Sequence, residues 1–530
     1  MNDSQTQTAD GHFPTFRRLF GWLFGWRMIR CCLFVLVCLA TLLALYYAEE
    51  NWRGRGAWNK YRQELEARGE QLDYNAFSPK PVPDEQNFAA TAFVQSWFEK
   101  RNPGEPWHAK DNYSRASTTV KALKYRAEYV DLVAWETAFA AVRSGKPDSN
   151  KKLASNKFDL ESRAKAAPAV WEGLKDEEAN LAELRAASRR PYSRYPVVYD
   201  LENPWGILIP HLLNIRLACL RLQLRACAEL AAGRSEAALE DVKLMLYLAD
   251  SVKEEPFLIS YLERIASFNI ATQPIWEGLA EHRWSDAQLQ ELQTRLQQYD
   301  WLTDLKRPLA AEQAAGVLTV DLLARKKYRP DDLFAQRNSS GAAWITLVVP
   351  HGWYYQEQLN YCKLYKNQLD GTFDAAKERV SPKQVEMHAH ELEREVSGGR
   401  LGKGLNAILH HRVIAALLLP ALGKVSLKAA MAQTSADQAA LSCALERFRL
   451  AHGQYPEKLD ALVPRFMDKV PNDLISGEPL KYHRTNKGQF LLYSVGWNER
   501  DDGGTVVLTK EKSPAVDFMQ GDWVWRFPEQ

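Results

Sequence analysis

The sequence lacks the concentrated positive charge that nucleic-acid binding requires. Its 530 residues include 68 basic and 66 acidic side chains, which leaves a net charge of only +2. Phosphate binding depends on a basic face, so we expect no nucleic-acid partner. Cysteine is also scarce, and its seven residues show no spacing typical of a metal site or a redox pair. We interpret Cys219, Cys227, Cys362 and Cys443 as buried apolar side chains.

Recognised catalytic motifs are absent from the sequence as well. It contains no nucleophile elbow, no His-Glu-x-x-His motif and no dinucleotide-binding fingerprint. The glycine-rich loop 398–404 departs from a phosphate-binding loop because Gly404 stands where a Ser or Thr would bind magnesium. His388, His390 and the pair at 410–411 lack the spacing of three or four residues that places two ligands on one helix face. The sequence therefore favours a protein that is not an enzyme.

Long apolar runs are scarce, and residues 31–47 form the one run long enough to cross a bilayer. These 17 uncharged residues reach the lower limit for a transmembrane helix. Arg17, Arg18, Arg27 and Arg30 precede the run and acidic residues follow it, so the positive-inside rule puts the N-terminus in the cytoplasm. We predict a single-pass anchor in a bacterial inner membrane, with the bulk of the chain in the periplasm. A cleaved signal peptide and a buried core helix are the alternatives.

Composition divides the rest of the chain into segments. Residues 1–30 form a basic and aromatic cytoplasmic segment, and residues 48–84 form a membrane-proximal helix followed by a linker. Closely spaced prolines at positions 79, 81 and 83 stop helices, which supports the linker. Residues 85–399 are predicted as a helical domain and residues 400–530 as a smaller α+β domain. The predicted fold class is therefore mainly α.

Apolar residues recur at helical spacing through the central segment. Over residues 208–230 they step by four and three, which lines one face of a helix. Gly233 and Ser235 indicate a turn into a returning helix, so we predict a large, irregular bundle of helical hairpins. Residues 228–238 resemble one tetratricopeptide-type hairpin, which leaves a regular solenoid as the alternative. No second clear copy of that hairpin occurs in the sequence.

The C-terminal segment predicts one long helix packed on a small antiparallel sheet. A stripe of mainly apolar residues at helical spacing runs through Leu427, Met431, Thr434, Gln438, Leu441, Leu445 and Phe448. Gly453 ends this helix because it can adopt a positive φ. Strands are predicted at residues 479–483, 489–495 and 505–509, with a candidate fourth at 522–527.

The order of these elements resembles the head domain of the major pseudopilin of type II secretion. The resemblance covers residues 413 to about 504. It includes a central Pro420, a long helix, the turn from His452 to Pro456, and the Tyr-Ser-Val-Gly sequence that ends at Gly496 before an acidic loop. The segment departs from that family because it is internal, whereas pseudopilins begin with a short basic leader and a cleavage site.

The pseudopilin resemblance also implies a metal site. In that family the acidic loop binds calcium, and hard oxygen donors at short spacing suit this ion. The matching positions here are the Val495 carbonyl and the side chains of Asn498, Asp501 and Asp502. Asn498 replaces an acid of the family, and an ordinary polar turn is the alternative interpretation.

The region after the apolar run resembles a group of bacterial membrane-anchored proteins that carry no assigned activity. Residues 51–54, 64–69 and 81–84 carry this second resemblance. We expect an envelope scaffold that binds other proteins, and the pseudopilin resemblance implies a link to secretion. The 17 tryptophans suggest the alternative, an envelope hydrolase or a glycan-binding protein with a Trp-lined surface.

Overall fold

The computed structural model describes residues 26–99, 111–121, 128–145, 153, 159–327, 349–374, 378–397, 403–510 and 515–527. It is mainly helical, with 64% helix and 7% strand, which confirms the predicted fold class. Residues 1–25 of the basic segment, residues 328–348 and the glycine-rich residues 398–402 lie outside the described residues.

The N-terminal helix α1 (Trp26–Ala67) joins the predicted anchor and the predicted membrane-proximal helix in one uninterrupted element of 42 residues. It is long and apolar enough to cross a membrane. The linker that follows is irregular and contains short 3₁₀ turns at Tyr74–Phe77 and Asp84–Gln86. Prolines without a backbone N–H account for this irregular path.

The central part of the described chain is a bundle of helices. Its helices are α2 (Ala92–Gln95), α3 (Asn112–Ser117), α4 (Leu132–Arg143), α5 (Leu160–Gly173), α6 (Glu178–Ala187), α7 (His211–Ala231), α8 (Ser235–Asp250), α9 (Leu258–Ala280), α10 (Asp286–Leu296), α11 (Trp301–Asp304) and α12 (Lys306–Ala324). The predicted hairpin is α7–α8, and Gly233 in the turn has a φ of 76°. Ser235 is the first helical residue rather than the N-cap, which is Arg234.

A second set of helices lies between this bundle and the sheet region in sequence. It contains α13 (His351–Leu369), the short hairpin β1 (Phe373–Asp374) and β2 (Arg379–Val380), α14 (Pro382–Ser397), α15 (Lys403–Leu409), α16 (Val413–Leu418) and the long α17 (Leu422–His452). As predicted, α17 ends at Gly453, whose φ is 77°. The helix α13 packs along the C-terminal half of α1.

The described strands near the C-terminus form two small antiparallel sheets rather than one. Strands β3 (Lys481–Arg484), β4 (Phe490–Ser494) and β7 (Trp523–Trp525) pair in the order β3-β4-β7. Strands β5 (Val506–Leu508) and β6 (Val516–Gly521) form a separate hairpin. The predicted third strand therefore leaves the main sheet, and the candidate fourth strand takes its place beside β4.

One continuous apolar core joins the central bundle to the C-terminal sheet. It includes Trp276 and Trp301 from the bundle, Leu445 from α17, and Phe490 and Trp525 from the sheet, all nearly inaccessible to solvent. Alanines along α17 let it approach α9 and α10 closely. The cysteines interpreted as apolar core residues are buried, as predicted.

Candidate functional site

The acidic loop between β4 and β5 holds the predicted metal ligands. The side-chain amide of Asn498 donates to the Asp502 carboxylate at 2.8 Å. Asp501 instead accepts hydrogen bonds from the Tyr493 hydroxyl at 3.0 Å and from the Gly503 N–H at 3.1 Å. The structure thus joins Asn498 to Asp502, while Asp501 bonds to the strand β4 and to its own turn.

Asp522 is a fourth polar residue of this loop region that sequence reasoning did not select. Its carboxylate accepts the backbone N–H groups of Asp502 at 3.2 Å, Gly504 at 2.6 Å and Thr505 at 3.2 Å. Desolvation raises the pKa of Asp522, and these three N–H donors oppose that rise. The residue lies 20 positions after Asp502, so no local spacing could have assigned it to the loop.

The calcium prediction stays a prediction. In the described part of the chain, no group of three or more His, Cys, Asp or Glu side chains is arranged to hold a metal ion. The predicted set contains two carboxylates, Asp501 and Asp502, and the neutral oxygens of Val495 and Asn498. It therefore has fewer than three side chains of these four types. The donors are hard oxygens, which suit calcium.

A buried carboxyl group lies between two helices in the part of the protein that packs against α1. Glu357 of α13 accepts the backbone N–H of Ile414 at 2.6 Å, at the start of α16. Burial raises the pKa of Glu357 to about 7, against an ordinary value of 4.5. The folded state therefore holds a proton that the unfolded chain releases between these two pH values.

We predict that Glu357→Gln removes part of the pH dependence of stability. A folded pKa above the unfolded one makes the folded state most stable at low pH, and that stability is lost as the pH rises from 4.5 to about 7. The variant should gain on the order of 2–3 kcal/mol relative to the native chain between pH 5 and 8. Thermal unfolding followed by tryptophan fluorescence in detergent measures this, and Glu66→Gln on the exposed face of α1 is the control. Parallel pH profiles for the native chain and both variants would contradict the prediction.

Two adjoining clefts lie on the surface of the central bundle. Their volumes are about 720 and 840 Å³, and they share a wall made by Tyr247, Arg295 and Gln298. We call the combined feature the basic groove, because its lining contains nine cationic and four anionic side chains. The cationic residues are Lys80, Arg185, Arg189, Arg194, Lys243, Lys253, Arg264, Arg295 and Arg307, and the anionic ones are Glu240, Asp250, Glu254 and Glu291.

Two arginines in the basic groove are held by backbone carbonyls rather than by acids. Arg194 donates to the carbonyls of Pro79 at 3.2 Å and Tyr195 at 2.8 Å. Arg307 donates to the carbonyls of Glu254 at 3.2 Å and Phe77 at 2.9 Å. Within the described ranges, no carboxylate forms an ion pair with Lys80, Arg189, Arg194 or Arg307. Fixed guanidinium groups whose charge is not neutralised favour an anionic ligand.

Most of the described tryptophans pack the core instead of lining a surface. Nine of them are buried, namely Trp58, Trp97, Trp135, Trp276, Trp284, Trp301, Trp497, Trp523 and Trp525. The strongly exposed ones in the described ranges are Trp26 and Trp52, both on α1. Neither cleft of the basic groove is lined by tryptophan. These positions give little support to a Trp-lined glycan site.

The junction between α1 and α13 fixes α1 to the body. The backbone N–H of Gly352 donates to the Asn51 side chain at 2.6 Å, and Gln356 donates to the Glu50 carboxylate at 2.7 Å. A Cβ atom on Gly54 would lie 2.4 Å from the Gly352 carbonyl oxygen. Glycine at both positions therefore permits direct contact between the two helix backbones.

Comparisons with protein-family models, with curated proteins and with solved structures found no match to this chain. The pseudopilin resemblance therefore stays a prediction. The function proposed below depends on the geometry of α1, of the basic groove and of the acidic loop.

Proposed function

We propose that this protein is a single-pass membrane-anchored scaffold of the bacterial envelope, with its body held against the bilayer surface. The observation that carries the proposal is the continuity of α1 from an exposed apolar half into a half that is packed in the body. Phe34, Leu36 and Leu42 in the first half are each more than 60% exposed, whereas Trp58 and Leu65 in the second half are buried. Lipid is the solvent that suits such an apolar exposed surface.

The same continuity favours a permanent anchor over a cleaved signal peptide. A signal peptide ends in a small-residue cleavage site, and residues 46–48 read Tyr-Tyr-Ala inside an unbroken helix. In the second apolar stretch, 413–452, 39% of the most apolar 18-residue segment is buried. Its helix α17 belongs to the core. We therefore propose α1 as the span, and the charge asymmetry around it supports a body in the periplasm.

Fractionation of cells that express the full chain tests this assignment. The chain should stay in the membrane pellet after alkaline carbonate extraction and keep residues 1–47 by mass spectrometry. Alkaline phosphatase fused after Gln530 should be active, because that enzyme needs the periplasm. As the control, Leu36→Arg combined with Leu39→Arg should release the chain from the membrane, since a charge at mid-span costs about 2.5–3.5 kcal/mol. A soluble chain that lacks residues 1–47 would overturn the assignment.

We propose that the basic groove is the surface where this scaffold binds an acidic protein segment. A groove with an excess of positive charge attracts such a segment and speeds its association.

We predict that Lys80→Glu combined with Arg189→Glu weakens binding of a fluorescent poly-glutamate peptide by about tenfold at low salt. Fluorescence anisotropy measures the affinity. The control combines Lys165→Glu with Lys175→Glu, which changes the net charge by the same amount at exposed residues outside the groove. Equal losses of peptide affinity in the two double variants would contradict the prediction.

We also propose that the C-terminal part is a pseudopilin-like module whose acidic loop binds calcium, which would link the scaffold to secretion. The helix, turn, sheet and acidic loop occur in the order of that family. The Asn498 side-chain amide donates to the Asp502 carboxylate, and the backbone N–H of Asp502 donates to the Asp522 carboxylate. We predict that millimolar calcium stabilises the full chain by about 1–3 kcal/mol, as for weak extracellular sites. Thermal unfolding with calcium or magnesium measures the gain. Asp502→Asn should abolish the gain in stability with calcium. A gain of the same size with magnesium, or with calcium in the variant, would contradict the calcium site.

A further inference from the structure

We propose that the body makes a second contact with the bilayer, beside the anchor helix. The contact surface, here named the foot, consists of Trp52, His351, Trp353, Leu409 and His410. It would lie in the headgroup layer on the periplasmic side. This inference rests on the proposed function, because α1 must cross the membrane for the foot to reach lipid.

The geometry of α1 sets the height of its polar residues above the bilayer core. The apolar run ends at Tyr47, and a helix rises 1.5 Å per residue, so Glu50 lies about 4.5 Å and Trp52 about 7.5 Å beyond that end. The headgroup layer of one leaflet is about 5–8 Å thick. Residues 48–52 therefore lie within this layer or at its outer edge.

The junction with α13 brings part of the body to the same height. Gly352 is so close to α1 that a Cβ atom on it would lie 2.0 Å from the Glu50 carbonyl oxygen. The hydrogen bond from the Gly352 N–H to Asn51 fixes the position along the helix axis. The residues on each side of Gly352, His351 and Trp353, are thus held within a turn of Glu50.

The turn between α15 and α16 packs against the N-terminal half of α13. The His411 ring lies 4.7 Å from the Trp353 ring, measured between centroids. The Asn360 side chain donates to the carbonyls of His410 at 3.0 Å and His411 at 3.1 Å. The ring contact with Trp353 holds His411 near the end of α13 that meets α1, and Leu409 and His410 directly precede His411 in the chain.

The chemistry of the foot suits the interface between water and lipid. Leu409 is 47% exposed, Trp52 is 79% exposed, and His351 and His410 are also exposed. Tryptophan is enriched at headgroup level, because its ring is apolar and its N–H is polar. Trp52 lies seven residues after the exposed Leu45 and therefore on the same face of α1, so the lipid-facing surface of the helix continues to Trp52. The height of the foot above the apolar run identifies the bilayer, rather than a protein, as the occupant.

Site-specific fluorescence quenching in vesicles tests the foot. The full chain is prepared with Cys31, Cys32 and Cys38 replaced by serine, since the other four cysteines are buried. Single cysteines then replace Leu409, Leu450 or Leu39 and carry an environment-sensitive fluorophore. Each protein is reconstituted into phosphatidylethanolamine and phosphatidylglycerol vesicles that contain a lipid with a nitroxide in the headgroup or in the acyl chain. Leu450 is the matched control, because it is 45% exposed near the far end of α17.

The three labelled positions separate failure of the foot from failure of the anchor. We expect the headgroup nitroxide to quench the label at Leu409 several-fold more than the label at Leu450, and the acyl nitroxide to quench the label at Leu39. Quenching at Leu39 together with equal, weak quenching at Leu409 and Leu450 would overturn the foot and leave the anchor intact. A label at Leu39 that no lipid nitroxide quenches would overturn the anchor and the foot together.

Discussion

Glu277→Ala is expected to lower the free energy of unfolding by about 3–5 kcal/mol, because it removes one acid from a buried charge network. The Arg163 guanidinium forms ion pairs with Glu277 and Glu281, and all three side chains are at most 3% exposed. Glu277 also accepts the N–H of Val130 at 2.7 Å and the Gln273 amide at 2.9 Å. The variant therefore leaves the Val130 N–H without this acceptor and weakens the neutralisation of a buried cation.

The charge network connects two parts of the fold, so the loss of stability should appear first in one of them. Arg163 lies on α5, which packs with α4 in a separate apolar cluster, whereas Glu277 and Glu281 extend from α9 of the main core. Hydrogen exchange in α4 and α5 should rise in Glu277→Ala before it rises in α9. Chemical unfolding followed by tryptophan fluorescence measures the total loss. As the control, Lys165→Ala breaks an exposed ion pair on α5 and should lower the free energy of unfolding by no more than about 0.5 kcal/mol. A similar loss of stability in both variants would contradict the prediction.

Sequence patterns identified the elements whose signals are local. The anchor run, the α7–α8 hairpin and the end of α17 at Gly453 each depend on residues within one or two turns of each other. The residues predicted as the α17 stripe largely face the core, with Gln438 donating to the Trp523 carbonyl at 2.6 Å. Periodicity was sufficient here because a helix buries one face whatever covers it.

Features that depend on distant residues could not be predicted in this way. The central bundle and the C-terminal sheet share one core because α17 presents small residues to α9 and α10, and spacing does not reveal which surface a helix will meet. The basic groove joins Lys80 to Arg307 across more than 200 positions in the chain. Asp522 reaches the acidic loop because β6 pairs with β5, which sets Gly521 opposite Val506. Tertiary contact decides each of these sites.

Gly54→Leu is expected to separate the body from α1. A Cβ atom at this position would lie 2.4 Å from the Gly352 carbonyl oxygen, and backbone atoms cannot rotate away as a flexible side chain does. The two helices must move apart, which breaks the hydrogen bonds from Gly352 to Asn51 and from Gln356 to Glu50. Overpacking of this kind costs about 1–3 kcal/mol, and the lost hydrogen bonds add to it.

Gly56→Leu is the matched control for this change. Gly56 lies half a turn further along the same helix, and a Cβ atom there would meet nothing within 4 Å. Both substitutions improve intrinsic helix propensity by up to about 1 kcal/mol, so that gain cancels when the two variants are compared. Thermal unfolding in vesicles should show Gly54→Leu well below Gly56→Leu. Hydrogen exchange should rise over the N-terminal half of α13 in Gly54→Leu alone, because α13 then loses its support from α1. Equal unfolding temperatures would mean that the body holds its position against α1 without the glycine junction.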